Sequence, residues 1–140
     1  MNRVLSYGFL FLVLLSSQIT QAQITVNANY TPQQLAEDVL IGAGVDISNI
    51  QYAGNAQARG YFEAAGSGFP LDQGVILSTG RVQDAVGPNN GASPGGDDGT
   101  DFGASGDAEL TAISGVSTLD ASILEFDFTP QSDTIQFRYV

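Results

Sequence analysis

From Ala121 to Phe128 the chain alternates, with Leu124, Phe126 and Phe128 on one side and Glu125 and Asp127 on the other. A period of two predicts a strand with one buried and one wet face. Thr129–Asp133 carries turn residues, after which Ile135, Phe137 and Tyr139 alternate with Thr134, Gln136 and Arg138. The two runs together predict a β-hairpin. On its wet face Arg138 would meet Glu125 or Asp127, a surface pair worth only about 0.2–1 kcal/mol.

Earlier segments are shorter. Ile24, Val26 and Ala28 share one side of a first short strand over 23–29. Thr31-Pro32-Gln33-Gln34 then reads as a helix start: Thr31 as N-cap, Pro32 at the first helical position and Gln34 closing a capping box. Leu35, Val39 and Leu40 form the apolar stripe of that helix, and Gly42 and Gly44 end it. Residues 45–52 read as extended, with a break at Asn49. Tyr61-Phe62 marks another short strand. Gly74-Val75-Ile76-Leu77-Ser78 is a continuous apolar run that suits a strand buried on both faces. Between Gly87 and Gly106 lies a long stretch of Gly, Pro, Asn and Asp with Phe102 as its one large apolar residue, which predicts a surface loop. Asp107 caps a short helical turn reaching Ile113. The sum is mainly β: an antiparallel β-sandwich of jelly-roll or lectin-like type with one short N-terminal helix.

The first 22 residues stand apart. Arg3 precedes an apolar run from Val4 to Leu15, and Thr20-Gln21-Ala22 is a small-x-small cleavage site, the order of a secretory signal peptide. The run is shorter than the ~20 apolar residues that a membrane-spanning helix needs. Cleavage after Ala22 leaves residues 23–140 as one domain in an extracellular or outer-surface setting. The alternation ends at Val140 within a strand pattern, so the expectation is an incomplete domain that begins a longer protein. A sandwich cut at that point would expose an apolar edge and fold poorly alone.

Charge and missing residue types narrow the chemistry. The formal net charge is −11, with fifteen acidic residues against four basic ones. Such a balance disfavours nucleic acid and anionic membrane surfaces. The chain has no Cys, His or Lys. That excludes a Ser-His-Asp triad, a thiolate nucleophile, a His- or Cys-bound zinc and a Schiff base.

What is left is carboxylates, Tyr, Ser and Arg. Asp97, Asp98 and Asp101, with Asp107 and Glu109 shortly after, form a candidate calcium site. Carboxylate and carbonyl oxygens suit this hard cation, and the interleaved glycines let the backbone turn inward. The spacing is not that of an EF-hand, and a solvated acidic loop is the alternative. Glu125 and Asp127, about 6.5–7 Å apart at Cα on one strand, have a spacing compatible with glycoside hydrolysis; a plain wet sheet face explains them as well. Tyr52, Tyr61, Phe62 and Phe102 offer either a sugar-stacking platform or core filling.

Four phrases in order resemble a bacterial family, the choice-of-anchor L domain: Gly74-Val75-Ile76-Leu77-Ser78-Thr79-Gly80, Gly106-Asp107-Ala108-Glu109-Leu110, Ile123-Leu124-Glu125-Phe126-Asp127-Phe128 and Asp133–Val140. The resemblance covers residues 24–140 and corresponds to the first part of that domain. It implies a secreted or cell-surface protein with no catalytic activity attached to the family, and a C-terminal anchoring or sorting signal beyond the residues matched. The functional expectation is therefore a non-catalytic structural or adhesion-type interaction module, calcium-stabilised through the acidic loop, whose partner is an extracellular protein or polysaccharide. A carbohydrate-binding module is the alternative, and a carboxylate-based hydrolase ranks below both.

Overall fold

A computed structural model describes residues 23–42, 44–86 and 100–140. The first strand, β1 (Thr25–Asn27), presents Ile24, Val26 and Ala28 inward as their alternation predicts. A helix follows at once. Its first turn, α1 (Pro32–Gln34), is capped by Thr31, whose hydroxyl accepts from the Gln34 amide at 3.2 Å, while Gln34 Oε1 accepts from the Thr31 amide at 2.9 Å. This reciprocal box satisfies two donors that the helix start would otherwise leave open. Leu35–Leu40 then continues as a π-helical turn, closed by the Ile41 amide on the Ala36 carbonyl. The wider turn buries Leu35 and Ala36 completely and leaves Leu40 39% exposed, so the apolar stripe is narrower than the sequence spacing suggested.

Two antiparallel sheets follow. In the first, β3 (Arg59–Glu63) lies between β1 and β4 (Gln73–Leu77). Val26 faces Phe62, and Phe62 in turn faces Gly74. A Cβ on Gly74 would stand 2.9 Å from the Phe62 ring, so the missing side chain is the space that the ring occupies. Phe62 is 6% exposed and meets Phe69 edge-on at 5.6 Å. With Leu35, Ala36, Ala58, Ala64 and Val82 it makes the core, which lies between this sheet and the helical segments. One of those segments is a 3₁₀ turn, Val82–Val86, that packs beside β1. β4 is half-buried rather than buried on both faces. It pairs with β3 alone, and Leu77 is 41% exposed, because a continuous apolar run does not reveal whether both sides of a strand will be covered.

The second sheet pairs β2 (Val45–Ala53) with β5 (Ile123–Pro130). Ser48 faces Asp127 and Gln51 faces Glu125, so β2 carries one extra residue between these pairs, a β-bulge. Asn49 sits in it with φ 53° and donates from its side chain to Asp127 Oδ2. The break expected at Asn49 is this bulge.

The hairpin expected over 121–140 does not form. β5 takes β2 as its partner, and no strand is present over 134–140. The Gln131 amide still bonds the Gly44 carbonyl, and its side chain bonds Asp46, before the chain bends over 131–133. Phe137 touches Phe128 edge-on at 6.3 Å but stays 51% exposed. Arg138 accordingly pairs with neither Glu125 nor Asp127; the ion pair among the described residues is Arg81–Asp84 at 3.4 Å. The fold is mainly β and antiparallel as expected, and among the described residues helical segments pack against the three-stranded sheet.

Candidate functional site

Of the five proposed calcium ligands, Asp97 and Asp98 lie outside the described residues. The other three already serve the backbone or face solvent. Asp101 Oδ1 accepts from the Gly103 amide at 2.7 Å. Asp107 Oδ1 accepts from the Leu110 amide at 2.7 Å and caps α2 (Ala108–Ser114), the helical turn predicted from the sequence. Glu109 stands exposed in the first turn of that helix, where its charge suits the helix N-terminus. Among the described residues, no three acidic side chains gather into a metal-binding group.

The carboxylate that organises this region is one that sequence reasoning passed over. Asp120 is 8% exposed and has φ 50°. Its Oδ1 accepts from the Ala104 amide at 2.7 Å and its Oδ2 from the Phe102 amide at 3.2 Å. Its own amide bonds the Ala104 carbonyl at 3.1 Å, and the Ala121 amide bonds Ser105 at 3.2 Å. Residues 102–105 are thus stitched to the entrance of β5. Thr118 adds a second clamp. Its hydroxyl accepts from the Asp107 amide at 3.0 Å and contacts the Thr111 hydroxyl at 2.7 Å. The two strands of chain approach so closely that a Cβ on Gly106 would fall 2.1 Å from the Thr118 carbonyl carbon and oxygen. Asp120 carries no periodicity signal. Only the tolerance of Asp for left-handed backbone, next to a predicted strand, could have drawn attention to it.

Glu125 and Asp127 are exposed on one face of β5. Glu125 faces Gln51, and Asp127 is held by Asn49. A shallow groove of ≈ 370 Å³ opens elsewhere, lined chiefly by Ile24, Phe69, Pro70 and Val86 with no ionisable side chain.

The four aromatic residues do not form one platform. Phe62 belongs to the core. Phe102 is tied by its amide to Asp120. Tyr52 lies under the Arg59 guanidinium at 4.5 Å, and its hydroxyl joins Asn55 and Ser122 where β2 and β5 meet. Tyr61 instead stacks on Tyr30, which the sequence reading did not single out, with ring centres 5.0 Å apart and 24° between planes. The Tyr61 hydroxyl donates to Glu63 Oε1 at 3.0 Å and lies 3.1 Å from Gln73 Oε1. Partial desolvation raises its pKa above the usual tyrosine value, and the hydrogen bond and negative charge of Glu63 push the same way, with Tyr30 adding to them.

The described residues contain no helix long and apolar enough to cross a membrane. Compared with known families, residues 23–140 match the one described as the choice-of-anchor L domain. No curated protein and no solved structure matches the chain.

Proposed function

The chain belongs to the choice-of-anchor L domain family, and from that premise we propose that it is a non-catalytic, adhesion-type interaction module of a bacterial exported protein, displayed at the cell surface or secreted. Family membership carries the first part of this reading: such a module is a secreted or surface part of an exported protein. The use of its carboxylates supports the second part. Asp107 and Asp127 each put one carboxylate oxygen into a helix cap or a bulge, and Asp120 puts both into a loop clamp. Those are the roles of groups that hold a shape. A catalytic pair would need two carboxyls converging on a cleft.

Calcium enters this reading as a stabiliser of the 87–109 stretch. Asp101 and Asp107 each use one carboxylate oxygen on the backbone, which leaves the other for a cation. A rise in melting temperature with millimolar calcium, removed by Asp97→Asn with Asp98→Asn, supports it; an unchanged melt removes it.

Export is tested by protease treatment of intact producing cells, with sequencing of the mature N-terminus. The expected result is loss of the protein from intact cells and a first residue of Gln23. Protection inside intact cells, with the leader still attached, would overturn the reading.

A further inference from the structure

The outward face of the three-stranded sheet carries an arrangement that the clamps and the core do not use. On β3 the side chains of Arg59, Tyr61 and Glu63 share one face, opposite to Phe62. The register sets Asn27 beside Tyr61 and Gln73 beside Glu63 on that same face. Tyr30 lies against Tyr61, and both rings are half-buried. A stacked aromatic pair is thus bordered by an amide from β1, a carboxylate from β3 and an amide from β4.

The polar groups are only partly used. The Tyr61 hydroxyl has one proton for two acceptors, Glu63 Oε1 and Gln73 Oε1. Asn27 Oδ1 takes the Asn29 amide. Among the described residues, Glu63 Oε2, Gln73 Nε2 and Asn27 Nδ2 have no partner. Free donors and a free acceptor therefore surround an apolar surface.

We propose that this face binds a neutral glycan, with a pyranose ring lying against the Tyr30–Tyr61 pair and its hydroxyls bonded by Glu63, Gln73 and Asn27. The C–H groups on one side of a pyranose carry slight positive charge and are drawn to the negative face of an aromatic ring. Each sugar hydroxyl both donates and accepts, which suits a rim holding a carboxylate and two amides. Charge selects among glycans. Glu63 stands at the site, the chain has a formal net charge of −11, and the one cation on β3, Arg59, is turned onto Tyr52. Uronates and sulfated sugars are repelled. The inference deepens the interaction-module reading by naming the partner's chemistry, and it stands or falls separately from surface display, which protease treatment of cells decides.

Affinity electrophoresis through native gels containing soluble β-glucan, xylan or mannan tests it, with polygalacturonate as the acidic comparison. Retardation in at least one neutral gel and none in polygalacturonate is expected. Tyr61→Ala and Tyr30→Ala should each weaken binding roughly tenfold. Gln73→Ala alters an exposed side chain and should also reduce retardation. It decides the matter if circular dichroism shows that the tyrosine variants have lost their fold. No retardation in any neutral gel, retardation by polygalacturonate alone, or retention unchanged in the folded variants would each overturn the proposal.

Discussion

Asp120 and Ala104 bind each other reciprocally: the Asp120 carboxylate takes the Ala104 amide at 2.7 Å while its own amide bonds the Ala104 carbonyl at 3.1 Å. The second carboxylate oxygen takes Phe102. One side chain therefore fixes where the long Gly-rich stretch rejoins the sheet.

Asp120→Ala should destabilise the protein by about 2–3 kcal/mol, since it strips the partner from two backbone amides. Asp120→Asn keeps one acceptor and tolerates the left-handed backbone, so it should cost roughly half as much. Urea denaturation gives the difference, and amide hydrogen exchange at Phe102 and Ala104 should quicken in both variants. Equal stability of Asp120→Ala and the parent would refute the clamp.

Gly106→Ala should cost about 1–3 kcal/mol, because the new methyl would overlap the Thr118 carbonyl and the backbone must part to admit it. Thr118→Val removes the acceptor of the Asp107 amide with little change of volume, and is expected to cost about 1–2 kcal/mol. Thermal melts of the two variants read both effects.

The bulge at Asn49 gives a graded series. Asn49→Val puts a β-branched side chain at φ 53°, and about 1–2 kcal/mol should be lost. Asn49→Gly relieves the backbone and loses only the exposed bond to Asp127, so it should lose less than half of that. A chemical melt in which glycine proved the worse of the two would mean that the Asp127 contact, rather than backbone geometry, holds the bulge.

Tyr61 supplies a pH dependence. Its pKa is raised in the folded protein, so the unfolded chain releases the phenolic proton first. The stability contributed by the neutral hydroxyl is thus complete below the ordinary tyrosine value of about 10 and declines as pH climbs through the higher folded value. Glu63→Gln removes the neighbouring charge and should bring the Tyr61 titration down toward that ordinary value. Ultraviolet absorbance of tyrosinate follows it. An unmoved titration in this variant would show that Glu63 does not contribute to the shift.

Much of the local structure was legible. Thr31 and Gln34 signal the first helix because a capping box needs only residues three apart. Asp107 signals the second because an Asp N-cap needs only a backbone amide three residues on. Ile24, Val26, Leu124 and Phe126 announce strands by alternation, and Asn49 announces an irregularity by its ease in left-handed backbone. Alternation does not name a partner, however. The pattern at 134–140 matches a strand that would close a hairpin, yet β5 pairs with a segment that precedes it by some 78 residues, the separation of Asn49 from Asp127.

The sequence by itself determined the acidic and His-, Cys- and Lys-free chemistry, the helix starts and the β character, because each depends on composition or on neighbours within a few positions. Only the tertiary structure decided that Asp120 clamps residues 102–105, that Phe62 fills the space left at Gly74, and that Tyr30 stacks on Tyr61 beside Glu63 and Gln73. Those pairings join residues distant along the chain, and their energies exist only once sheet register and loop path have brought the groups within hydrogen-bonding or van der Waals range.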